Sequence, residues 1–124
     1  MEVLDVAGRY AAAIDAADDD ALRACFAPDA RIWHNTDGKE QTLDENLALG
    51  RWLRRKVPDV AFTEVTNTAT SEGFVRRCVM RGTLPDGSEL VMPTCIVGVV
   101  NAAGLIDRIE EYLDARPLRA LRYS

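Results

Sequence analysis

The chain has 124 residues, the length of one ordinary domain, and is 48% hydrophobic and 28% charged, the balance of a globular protein. That size supports a core without disulfide or metal staples. A net charge of −5 does not suit phosphate backbones or anionic lipid, so neither nucleic acid nor membrane is an expected partner.

The first half reads as helical. At 100° per residue, Val3, Val6, Ala7, Tyr10, Ile14 and Ala17 fall on one stripe of a first helix over roughly residues 2–16. Asp18-Asp19-Asp20 then supplies the cap and first-turn carboxylates of a short second helix. This helix would bury Leu22, Cys25 and Phe26 and stop at Pro28. Ala30 to His34 alternates as a short strand, closed by a turn at Asp37-Gly38. Thr42-Leu43-Asp44-Glu45 is a capping box, opening a third helix that runs to about Lys56 and is halted by Pro58. Its basic end, Arg51, Arg54, Arg55 and Lys56, matches the negative end of a helix dipole.

The second half reads as strands: Val60 to Thr70, Phe74 to Leu84, Leu90 to Asn101 and Leu105 to Asp114. Leu84-Pro85-Asp86-Gly87 and Ala102-Ala103-Gly104 are the turns between them. The third of these strands is apolar on both parities, the pattern of a central strand covered on both faces. A basic tail, Arg116 to Tyr123, places Leu118 and Leu121 on one helical face. Helices followed by an antiparallel meander give a single α+β domain over residues 1–124, with the helices over one sheet face and a hollow between them.

Cys25, Cys78 and Cys95 are far apart, and neither they nor the single histidine has metal-ligand spacing. They read as reduced core cysteines of a cytoplasmic protein, and the first residues lack a secretory pattern. Neither a metal nor an organic cofactor is expected.

Candidate site residues are polar groups standing where periodicity asks for apolar ones, since burying an unpaired polar group costs about 1–3 kcal/mol. His34 shares the parity of Ala30 and Ile32, and is either a general acid or base or a hydrogen-bonded core histidine. Glu111 shares the parity of Leu105, Asp107, Ile109 and Leu113, unless a bulge turns Glu110 inward in its place. Tyr10 stands mid-stripe on the first helix and Asn46 mid-stripe on the third. Arg76 and Cys78 share the parity of Phe74 and Met80. His34 and Glu111 are therefore the candidate catalytic pair, with Tyr10, Trp33, Asn46, Cys78 and Asp107 as candidate substrate contacts.

Two segments carry a family resemblance: Arg9-Tyr10-Ala11-Ala12-Ala13-Ile14-Asp15 leading to Phe26-Ala27-Pro28-Asp29-Ala30-Arg31-Ile32-Trp33-His34, and Gly104 to Asp114. They resemble the opening and the last strand of SnoaL-like members of the NTF2-like superfamily, and the likeness covers nearly the whole chain. It implies a cone-shaped α+β fold, three N-terminal helices on a curved antiparallel or mixed sheet enclosing a pocket. It also implies a homodimer through the open sheet face. By the same resemblance, His34 matches the position of the steroid isomerases' base and Tyr10 that of their helix tyrosine. Their second oxyanion donor falls at or near Ile96 here, which argues against the same isomerisation. Glu111 or Asp107 could supply the late-strand acid of the family's polyketide cyclases. The expectation is a pocket for a small, mostly apolar molecule. It serves either a cyclase, isomerase or dehydratase working by proton transfer, or a non-catalytic metabolite-binding or dimerisation module.

Overall fold

The computed structural model describes residues 2–123. Helices α1 (Val3–Asp15), α2 (Asp19–Cys25) and α3 (Leu43–Lys56) lie over one six-stranded sheet. Its strands are β1 (Phe26–His34), β2 (Glu40–Thr42), β3 (Ala61–Ala69), β4 (Gly73–Thr83), β5 (Glu89–Val100) and β6 (Ile106–Leu113). They run in the order β2-β1-β6-β5-β4-β3, and a 3-10 helix (Arg116–Tyr123) follows β6. Every neighbouring pair is antiparallel except β1 and β6, which run parallel. This is the α+β arrangement expected, with a mixed sheet. Among the described residues no helix is long and apolar enough to cross a membrane.

The helices form where the sequence places them, for local reasons. Asp18 accepts a hydrogen bond from the Ala21 backbone N–H at 3.1 Å, capping α2. Thr42 Oγ1 accepts from the Glu45 N–H at 3.2 Å while Glu45 Oε1 accepts from the Thr42 N–H at 3.0 Å, the reciprocal bonds of a capping box. One expectation needs correcting. Pro28 does not end α2, which stops at Cys25, and Phe26 is already extended. Proline forces the residue before it out of helical geometry, so the chain straightens ahead of Pro28. Pro28 itself sits where the β1–β6 pairing shifts register, a place that needs no ladder N–H from it.

The core occupies the space between the helices and the concave face of the sheet. Val6, Ala7, Tyr10 and Ala13 of α1 pack with Phe26, Ile32, Phe74, Ile96, Ile106 and Ile109. Burying a side chain of the size of Phe74 contributes roughly 1.5–3 kcal/mol. Its ring lies over Gly98, where a Cβ would stand 2.7 Å from the ring carbons, so only glycine admits it. A second cluster, Val57, Met80, Leu84, Leu90, Met92 and Leu121, closes the far end under the 3-10 helix.

Two features were not legible in the sequence. β2 is a three-residue edge strand paired only to β1. On β6 the register shifts between Val99 and Val100, whose partners are Arg108 and Ile106, leaving Asp107 unpaired as a bulge. β5 also departs from expectation: Leu90, Met92, Thr94 and Ile96 are buried, but Val91 and Pro93 on the opposite face are exposed.

Candidate active site

The site begins with the parallel pairing of β1 and β6, which sets His34 directly beside Glu111. Both side chains point to the concave face. His34 Nε2 is 3.3 Å from Glu111 Oε1, with the two side chains 10% and 22% exposed. The backbone locks this juxtaposition. The Asn35 N–H donates to the Glu111 carbonyl at 3.0 Å, and the Leu113 N–H donates to Asn35 Oδ1 at 3.0 Å. Gly38, at φ 68°, closes the turn after β1 by donating its N–H to the His34 carbonyl at 2.9 Å.

Glu111 raises the pKa of His34 above the usual imidazole range; burial pulls the other way, and Asp37 adds to the rise. Because the folded value lies above the unfolded one, protonated His34 stabilises the fold. That contribution is complete below about pH 6.5, the unfolded imidazole range, and is lost as pH rises through the raised folded value. The melting temperature is expected to decline across that window in the wild type and to follow a flatter course in His34→Gln. Parallel melting profiles of the two proteins would refute the coupling.

The pair opens onto a cavity of about 560 Å³ between the helices and the sheet. The volume is that of a small-molecule site. Its walls are mostly apolar, including Leu47, Leu53, Phe62, Met80 and Ile96. Tyr10 lines it from α1, its ring edge-on to Phe26 at 5.9 Å and tilted against Phe74 at 6.2 Å. Burial, followed by the charge of Glu111, raises the Tyr10 pKa, with Arg76 opposing. The phenol therefore keeps its proton and remains a hydrogen-bond donor. Asn46 lines the cavity from α3.

Arg76 stands in the same wall. It is 1% exposed, and Nε, Nη1 and Nη2 meet no oxygen or nitrogen acceptor among the described residues. Its guanidinium carbon lies 5.8 Å from the centre of the Phe62 ring. The sequence showed Arg76 on the inward parity of β4, but gave it no role. The available signal was an arginine standing between Phe74 and Cys78 where an apolar residue belongs.

Four of the seven candidate residues thus meet at the cavity: His34, Glu111, Tyr10 and Asn46. Three do not. Trp33 follows the opposite parity to His34 and packs on Tyr112 across the other sheet face, ring centres 5.3 Å apart. Cys78 is buried in the core outside the cavity wall, and burial raises its pKa against the pull of Arg76. Asp107 is the bulge residue on β6 and accepts a hydrogen bond from Asn101 Nδ2 at 2.9 Å on the surface. Among the described residues no group of three or more His, Cys, Asp and Glu is placed to hold a metal ion.

The sequence profile of the SnoaL-like domain matches residues 7–109. The chain belongs to the SnoaL-like domain family. This SnoaL-like domain superposes on wild-type IdmH, a candidate polyketide cyclase from Streptomyces antibioticus, with a TM-score of 0.83 over 100% of both chains at 22% identity. A protein of ketosteroid isomerase-like fold from Catenulispora acidiphila gives a TM-score of 0.73 at 16% identity over 86% of this chain and 83% of that one. An NTF2-like protein from Burkholderia pseudomallei gives 0.79 at 18% identity over 98% and 97%. At such identities the likeness is one of fold. None of the curated proteins matches the sequence significantly.

Proposed function

We propose that this SnoaL-like domain is an acid/base enzyme acting on a small, mostly apolar carbonyl compound, as a cyclase, isomerase or dehydratase. The observation that carries the reading is the His34–Glu111 pair, 3.3 Å apart in the wall of an apolar cavity. A histidine takes a proton from carbon effectively when a carboxylate stabilises the imidazolium that results. His34 removes the proton beside the substrate carbonyl while Glu111 holds the ring and balances its new charge. In an isomerisation His34 then gives the proton to a second carbon. In a ring closure it gives it to the alkoxide formed when the carbanion attacks a second carbonyl, and in a dehydration to the departing hydroxyl, released as water. Tyr10, with its proton retained, donates to the oxygen that becomes negative, and Asn46 orients the substrate. Proton transfers of this kind need no group beyond these side chains.

A screen of apolar ketones, β-keto esters and polyketide-like carbonyl compounds, read for turnover with wild type and His34→Ala, tests the proposal. Turnover by both proteins alike, or saturable binding with no turnover by either, would rule it out.

We further propose that the protein works as a homodimer through the outer sheet face. Val91 and Tyr112 there are 39% and 40% exposed, and Val75, Val79, Val97 and Val99 adjoin them only half-buried. Val97→Glu places a charge amid this face and is expected to convert dimer to monomer in light scattering coupled to gel filtration. A wild type already monomeric at high concentration would exclude the dimer.

A further inference from the structure

We infer that the cavity takes a ligand carrying a single carboxylate, and that Arg76 is the residue that binds it. The inference rests on the reading above only in treating this cavity as the substrate's place.

A guanidinium carries five N–H donors and keeps its charge at any ordinary pH. Such a group is almost never left buried without acceptors, because each missing partner costs desolvation energy. Arg76 is 1% exposed and none of its three nitrogens meets an oxygen or nitrogen acceptor among the described residues. The Cys78 thiol beside it, kept neutral by burial, is a weak acceptor that cannot balance the charge. Glu111, the carboxylate on the same face, lies two strands away and is engaged by His34. Asn67, directly across from Arg76 on β3, has a buried Oδ1 that is also without a partner. Joining those two would use at most two N–H groups, one for each lone pair of Oδ1, and leave three. The Phe62 ring offers the cation a π face but no acceptor. What the position lacks is an external anion.

The chemistry narrows which anion. A planar fork matches a carboxylate with two parallel hydrogen bonds. One guanidinium balances one negative charge; a phosphate monoester would bring nearly two into an apolar cavity that already holds Glu111. The register supplies the direction. Arg76, Ile96, Glu111 and His34 form one row across β4, β5, β6 and β1. With adjacent strands about 4.8 Å apart, Arg76 lies about 10 Å of backbone from Glu111 and about 14 Å from His34. A molecule held by its carboxylate at Arg76 therefore extends past Ile96 and presents a more distant carbon to His34.

The test is calorimetric titration of the full chain with shape-matched pairs, cinnamate against cinnamamide and decanoate against decanamide, with phenyl phosphate as a further arm. Each acid is expected to bind wild type at least about tenfold more tightly than its amide, the scale of one charge-assisted hydrogen bond. His34→Ala should keep that preference, which separates the inference from the catalytic reading. Arg76→Met should abolish it, and Arg76→Lys, keeping charge without the fork, should retain a part. Equal binding of acid and amide to wild type overturns the inference. So does a preference that survives in Arg76→Met, tighter binding of phenyl phosphate than of cinnamate, or failure of both pairs to bind.

Discussion

Replacing His34 with alanine is expected to lower kcat by about 10²- to 10⁴-fold, the usual contribution of a positioned general acid or base, with substrate affinity changed only a few-fold. The asymmetry follows from the site. His34 contributes one polar edge to a cavity whose walls are largely aliphatic and aromatic, so most ground-state contact survives its removal. Only proton transfer loses its agent. Glu111→Gln should have a smaller effect of different character. It keeps the shape beside His34 but removes the charge that raises the imidazole pKa, so the limb of the rate profile governed by His34 shifts to lower pH. Single-turnover kinetics across pH for wild type and both variants would check this. An unchanged kcat in His34→Ala removes His34 from the chemistry, and an unmoved limb in Glu111→Gln removes the coupling.

Much of this site was legible from parity alone, and the failures have separate causes. His34 and Ile32 alternate along β1, so an inward isoleucine implies an inward histidine. Trp33, next to His34 in the chain, points the other way by the same rule. Glu111 shares the inward face of Ile109, because both follow the bulge. Asp107 lies at the bulge, where strict alternation no longer applies. A bulge is set by how two strands fit together, and β6 alone does not encode it. The parallel pairing of β1 with β6 is likewise non-local, yet it is what brings His34 to Glu111 across most of the chain. The starts of α2 and α3 depend on capping side chains within four residues, and there the sequence suffices; the end of α2 falls earlier than Pro28 because proline acts on the residues before it. Arg76 was visible as an inward polar residue, but its want of a partner depends on every element around it.

That want of a partner makes Arg76 the position where stability and function should part. Most substitutions of a fully buried side chain destabilise by leaving a cavity. Arg76→Met is expected to do the opposite and stabilise the ligand-free protein by about 1–3 kcal/mol. Methionine fills much of the same volume with a flexible apolar chain, and replacing buried charge by hydrophobic packing is often stabilising by about that amount. The change also gives up the contact with the Phe62 ring, worth roughly 0.5–2 kcal/mol, which sets the lower end of the range. In a domain of this size the gain corresponds to a rise in melting temperature of roughly 3–12 °C, measurable by calorimetry. Arg76→Ala, which removes the charge but leaves a void, should gain less or lose stability outright. A site kept at the expense of the fold is the usual mark of a residue retained for binding or catalysis. If Arg76→Met instead melts well below wild type, the guanidinium is already satisfied in solution and serves the fold rather than a ligand.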